Sequence, residues 1–175
     1  MASFTERMLG AAKLDPATYE EVEADRGATL HAMGVVVLAA LATGIGAIAQ
    51  VGIQGLILSV IAAVVGWAVW AALIWLIGTK LLPEASTESD WGEVARTTGF
   101  AQAPGLLRVF GFIPVLGPLV VLAASIWQIV AVVIAVRQAL DYTQTWRAVV
   151  VVLIGWLANL ALFLLLMGGT GTPAA

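Results

Sequence analysis

The 175-residue chain contains no cysteine, which removes disulfides, thiolate metal sites and a cysteine nucleophile at once. Charge is nearly as scarce: Asp, Glu, Lys and Arg make up 11% of the residues against 61% hydrophobic ones, at a mean hydropathy of +1.01. A soluble globule of this size needs more polar surface than that, so the composition points to an integral membrane protein. GxSxG, HExxH and P-loop patterns are missing, so no catalytic activity and no cofactor are expected. No basic patch suits nucleic acid. The net charge of −3 carries little weight, because the acids gather in two polar segments.

What is present is a series of long apolar runs. They predict an all-α membrane protein, a five-transmembrane-helix bundle behind a short amphipathic and acidic helical leader. Residues 1–28 make the leader, 29–168 the transmembrane domain and 169–175 a flexible tail. In the leader, Phe4, Met8 and Leu9 fall at helical spacing, which predicts a short helix over 3–13 lying on the bilayer surface. Asp15 followed by Pro16 is an N-cap and first-turn pair for a second helix, with Tyr19 and Val22 on one side and Glu20, Glu21, Glu23 and Asp25 on the remainder. The leader's acids outnumber its bases Arg7, Lys13 and Arg26, so a cleaved secretory signal is not expected.

The first span is expected over 30–49, with Ala40 and Gly44 at small-xxx-small spacing. An uncharged turn over 50–55 leads to a second span over 56–77, which carries Trp67, Trp70 and Trp75 and is closed by Lys80. After a polar loop comes a hairpin: a helix from about 90 to 110, an apolar turn over 112–118 and a helix from 119 to about 140. Pro104 should kink the first arm, with Gln102 the nearest side chain able to satisfy the freed carbonyl. Ala95, Gly99 and Ala103 share one face that another helix backbone can approach closely. The last span is expected over 146–167. Arg7, Lys13, Arg26, Lys80, Arg96, Arg137 and Arg147 then lie on the N-terminal side of the membrane and Arg108 alone on the other. The positive-inside rule therefore predicts a multi-pass protein of the cytoplasmic (inner) membrane with its N-terminus inside and its C-terminus outside.

LDPATYEEVEAD before the first span, RTTGFAQAP, the IP..GP turn, SIWQIVAVVIAVRQAL and the Arg147–Ala148 opening of the last span together resemble bacterial members of the Yip1 domain family. The resemblance covers nearly the whole chain. It implies a five-helix membrane domain with a cytoplasmic N-terminus and, from eukaryotic relatives, a role in membrane trafficking and Rab GTPase association. The DLYGP and GY-type motifs of those relatives are absent here, so a Rab partner is not carried over.

Two groups of residues are candidates for function. Asp15, Tyr19, Glu20, Glu23, Arg96, Arg137, Asp141 and Arg147 fall together on the N-terminal side, as a dock for protein partners or anionic lipid headgroups or simply as topology anchors. Contact of Arg96 with Glu20 or Glu23 would clamp the acidic helix under the bundle. A divalent ion could be shared by Glu20, Glu23 and His31 with Glu88, Asp90 or Glu93, although the spacing fits no metal motif and a solvated acidic helix is the commoner arrangement. Inside the spans, Gln102, Pro104, Gln128 and Asn159, with Ser59 and Ser125, line a path or join helices by hydrogen bonds. The expected function is a non-catalytic membrane scaffold or adaptor that binds lipids or partner proteins and packs as a homo-oligomer. The alternative is a small transporter or channel at the kinked third helix. A hydrated cavity reaching Gln102, Gln128 or Asn159 would favour transport, and a dry interior the scaffold.

Overall fold

The computed structural model describes residues 2–168. The leader folds into two helices whose starts are written in the sequence. Ser3 and Glu6 exchange backbone and side-chain hydrogen bonds in a capping box at the start of α1 (Phe4–Ala12), and Asp15 accepts from the Ala17 N–H at the start of α2 (Pro16–Ala24). Arg7, only 3% exposed, bolts the pair together: it donates to Glu21 at 3.0 Å and to Asp25 at 2.7 Å. Tyr19 adds a buried bond from its hydroxyl to the Ala11 carbonyl. Phe4 and Met8 pack on the core while Leu9 faces outward.

Four elements are long and apolar enough to cross a membrane: α3 (Ala28–Gly46), α4 (Ile48–Leu76) with its π-helical continuation Ile77–Leu81, α6 (Leu116–Ala139) and α7 (Thr145–Gly168). The turn expected over 50–55 is a break at Gly52, whose φ of 63° and ψ of −178° are not helical; it separates a short helical stretch from Ile48 from the long run that follows, so α4 is two helices joined across a kink. The turn expected over 112–118 is shorter as well. Pro118 lies in the first turn of α6, where a missing N–H costs nothing. The tail over 169–175 lies outside the described residues.

The arm expected as one helix over 90–110 is corrected more deeply. An α-helix, α5 (Trp91–Phe100), gives way to a 3₁₀ helix over Ala103–Phe112. Pro104 cannot donate to Phe100, and its ring collides with that carbonyl, so the α-helical ladder stops and a tighter one restarts with the proline in its first turn. The broken segment is nonetheless long. Ten α-helical and ten 3₁₀ residues rise roughly 35 Å together.

That segment runs beside α3 and in the same direction. Gly99 faces Ala32, Gly105 faces Ala39, and Gly46 meets the Arg108 carbonyl. A Cβ added to Gly99 would stand 2.8 Å from that of Ala32, and one added to Gly46 would collide with the Arg108 carbonyl. Only glycine lets the backbones come so close. Ala95, Gly99 and Ala103 are all buried in this contact, and Gly44 is closed off by Leu56 of α4. The small-residue faces expected to serve a second copy are therefore used largely within one chain.

The face at which α3 begins also gathers the other ends. Trp75 donates to the Ser89 carbonyl and Trp67 to that of Ala95, while Tyr142, between α6 and α7, donates to the carbonyls of Gly78 and Leu82. Trp127 of α6 reaches the Ala12 carbonyl of α1 at 2.8 Å. The leader is thus seated on the bundle rather than trailing from it.

Gly99→Ala is expected to lower the unfolding midpoint in detergent by the equivalent of about 1–3 kcal/mol, because the Ala32 backbone must move. Gly34→Ala, whose new methyl would only touch Phe4 at 3.9 Å, should leave the midpoint unchanged.

Candidate functional site: a polar cavity inside the bundle

At the leader face the arginines predicted to dock a partner are engaged with the chain itself. Arg96, 4% exposed, donates to the carbonyls of Val22 and Glu23, at 3.2 and 3.1 Å from Nε and 2.5 Å from Nη2. These are carbonyls of the last turn of α2, which have no intrahelical donor and sit at the negative end of its dipole. The clamp on the acidic helix exists, but it grips backbone oxygens rather than a carboxylate. Arg137 holds the Tyr142 and Thr143 carbonyls and the Thr145 hydroxyl. Arg147 pairs with Glu84 at 3.2 Å and reaches the Pro83 carbonyl. Asp15 caps α2, and Tyr19 is buried under α1.

What stays open on that face is acidic. A cavity of about 590 Å³ is lined by Glu20, Glu23, Glu93 and Asp141 together with Arg137 and Gln138. Gln138 donates to Glu20 at 2.7 Å across it. Burial first, then the charges of Asp141, Glu93 and Glu20, push the Glu23 carboxyl up to about 8, opposed by Arg96. The divalent-ion arrangement is not assembled: His31 stacks near Phe4, Asp90 and Glu93 cap α5, and no group of three metal-ligating side chains gathers among the described residues.

The second cavity lies between the helices, half open to the outside past Ile129 and Trp156, and measures about 540 Å³. It brings together the polar intramembrane residues Gln102, Gln128 and Asn159, with Thr43, Ser59, Ser125 and Arg108, against walls formed by Trp67, Trp70, Trp156, Ile129 and Val132. Pro104 is buried but is not among the lining residues, and of the 3₁₀ helix it starts Arg108 alone lines the cavity. Gln128 donates to the Gln102 carbonyl oxygen in a short bond, yet its own oxygen is buried without a donor, and the Trp70 indole N–H is buried without an acceptor. The lining runs from Val36 to Ala47 along α3, from Val51 to Trp70 on α4 and from Ser125 to Val132 on α6, so the cavity extends from the end away from the leader past the middle of the bundle. Trp67, tied to the Ala95 carbonyl, and Trp70 line it on α4 toward the leader side.

Sequence reasoning assigned Arg108 to the far surface as the lone cation there. The structure turns it inward. Its Nη2 donates to Ser125 at 3.3 Å, and its Nη1 lies beside Gly105, level with Ala39 halfway along α3. A usable signal was present: an arginine inside an apolar run, opposite a helix whose Ser125 and Gln128 share a face. Arg7 was also counted only as a surface cation, and no local pattern marks its ion pairs, which depend on how α1 folds over α2.

With this geometry in hand, comparison with known proteins adds a family but no close relative. The family model described as Yip1 domain matches residues 14–167. No curated protein and no solved structure matches the chain.

The Glu23 environment predicts a pH dependence. The folded state binds this proton more tightly than an unfolded chain, so the contribution to seating α2 is full below the ordinary 4.5 and is lost as pH rises through about 8. Glu21, held low by the Ala2 N–H and Arg7, and Asp25, held low by Arg7 and the Gly27 N–H, act in the opposite sense only in more acidic solution. Between about pH 5 and about pH 9, amide exchange over 16–24 should therefore accelerate more in the wild type than in Glu23→Gln. A constant ratio between the two proteins would contradict this.

Proposed function

Taking as premise that the chain belongs to the Yip1 domain family, we propose that it is a non-catalytic five-span protein of the cytoplasmic membrane that binds a membrane ligand between its helices. The observation that carries this reading is the 540 Å³ cavity on which Gln102, Arg108, Gln128 and Asn159 converge. Side chains this polar are expensive inside an apolar bundle unless something in the cavity uses them. Its wall toward the leader is set by Trp67 and Trp70, the first tied to the Ala95 carbonyl, which suits a bound ligand better than a continuous path. The transporter reading uses the same cavity and requires Trp67 and Trp70 to move aside.

The fifth crossing is the broken segment of α5 and its 3₁₀ helix. Its rise of roughly 35 Å exceeds the ~30 Å hydrocarbon core, and it follows α3 over most of its length. Irregular backbone at that depth is tolerated because protein encloses it on the α3 and α6 sides. With the cations Arg96, Arg137 and Arg147 already occupied, the cytoplasmic face offers a protein partner the carboxylates of Glu20, Glu23 and Asp141. An adaptor role there would select a cationic partner.

Topology is checked on a chain with no native cysteine to mask. Ser3→Cys should react with an impermeant thiol reagent only after the inner face is exposed, and Pro173→Cys from outside. Labelling of both from one side would overturn five crossings. For the ligand, Gly66→Phe fills the cavity from a position where an added Cβ meets nothing within 4 Å. Purified Gly66→Phe should retain roughly tenfold less lipid than wild type at equal helix content, since the site itself is filled. Solute flux into vesicles that this variant abolishes would favour transport instead.

A further inference from the structure

Arg108 is a cation without a counter-ion. Ion pairs among the described residues join Arg7 to Glu21 and Asp25, and Arg147 to Glu84, and none reaches Arg108. None can form within the spans, because every acid of the chain precedes residue 26, lies in 84–93 or is Asp141. Of the guanidinium's five N–H groups, one is taken up by Ser125, and Ser125 itself donates to the Val121 carbonyl. The head of this side chain therefore projects donors and a full positive charge into a cavity that supplies no negative charge. Near it stands the undonated oxygen of Gln128: the two groups flank the same glycine, at 3.1 Å (Gln128 oxygen) and 3.4 Å (Arg108 Nη1) from where a Cβ on Gly105 would be. An anionic oxygen on Arg108 with a hydroxyl beside it, donating to Gln128, satisfies both groups. The rest of the wall is mostly apolar, with Trp67, Trp156, Ile129 and Val132 its bulky members beside Thr43, Ser59 and Asn159, which suits a hydrocarbon chain better than a free ion.

We propose that the cavity takes an anionic phospholipid with a hydroxyl-bearing headgroup, its phosphate on Arg108 and its hydroxyl on Gln128. This rests on the reading of the cavity as a ligand site and assigns the ligand's chemistry. The shared chemistry, a phosphate ester beside a hydroxyl, also describes soluble glycerol phosphate. The apolar walls decide for the lipid.

The test is native mass spectrometry of the full chain released from detergent after incubation with equal phosphatidylglycerol and phosphatidylcholine. The wild type should retain phosphatidylglycerol about tenfold over phosphatidylcholine, the scale of a charge-assisted hydrogen bond. Arg108→Gln should lose that preference while keeping total lipid, Arg108→Lys should keep part of it, and Gln128→Leu should lower it selectively. Equal preference in wild type and Arg108→Gln would overturn the assignment. Lipid retained undiminished by Gly66→Phe would overturn the cavity reading beneath it, so the two failures are distinguishable. Added glycerol phosphate should not displace the lipid. Displacement at millimolar concentration would overturn the lipid assignment in favour of a soluble anion.

Discussion

A backbone that leaves regular α-helix inside an apolar bundle must find hydrogen-bond partners in its own chain, and the segment from Trp91 to Phe112 is where this protein meets that requirement. Pro104 ends one hydrogen-bond ladder, and the 3₁₀ ladder that follows is narrower and less regular. Such a segment survives only if protein encloses it. Gly99 against Ala32 and Gly46 against the Arg108 carbonyl bring it to backbone contact with α3, while Gly105, Arg108 and Gln102 meet α6 at Gln128 and Ser125. The cavity lies beside this contact, where Ala39, Ala40 and Gly44 of α3 and Ala63 and Gly66 of α4 line it with little side-chain bulk.

On the leader side, positive charge is used structurally. Arg96, Arg137 and Arg147 each hold carbonyl oxygens at a helix end or in a loop, where the chain has acceptors left over. These contacts draw α2, the loop before α5 and the connection from α6 to α7 into one layer. The surviving open surface of that layer is negative, and its most buried acid, Glu23, is held against ionisation by burial and its neighbours.

Much of this was legible from residue patterns and some was not. The leader helices follow from Ser3–Glu6 and Asp15–Pro16, because capping is local chemistry. The long spans follow from hydropathy, and the break expected between the first two near 50–55 is found at Gly52, where the backbone leaves helical geometry. Pro104 was readable as an interruption, but the change to 3₁₀ geometry depends on how closely α3 and α6 enclose it. The convergence of Gln102, Gln128 and Asn159 was foreseeable as a shared polar stripe. Arg108 was not, because counting charges by loop ignores where a long side chain points. Arg96 was matched to the right helix through the wrong atoms, since sequence displays carboxylates and conceals the free carbonyls of a helix end.

The contacts that seat the leader have a bearing on synthesis. Ala12, Glu20 and Glu23 are made early, whereas their partners Trp127, Gln138 and Arg96 follow 115, 118 and 73 residues later. As the chain is made, α2 gains its first seat when Arg96 of α5 follows, whereas the Trp127 bond to α1 and the Gln138 bond to α2 come only with α6. α1 and α2 are thus fully seated only after α6 has been made, and a chain truncated before Trp127 lacks the bonds of both helices to α6.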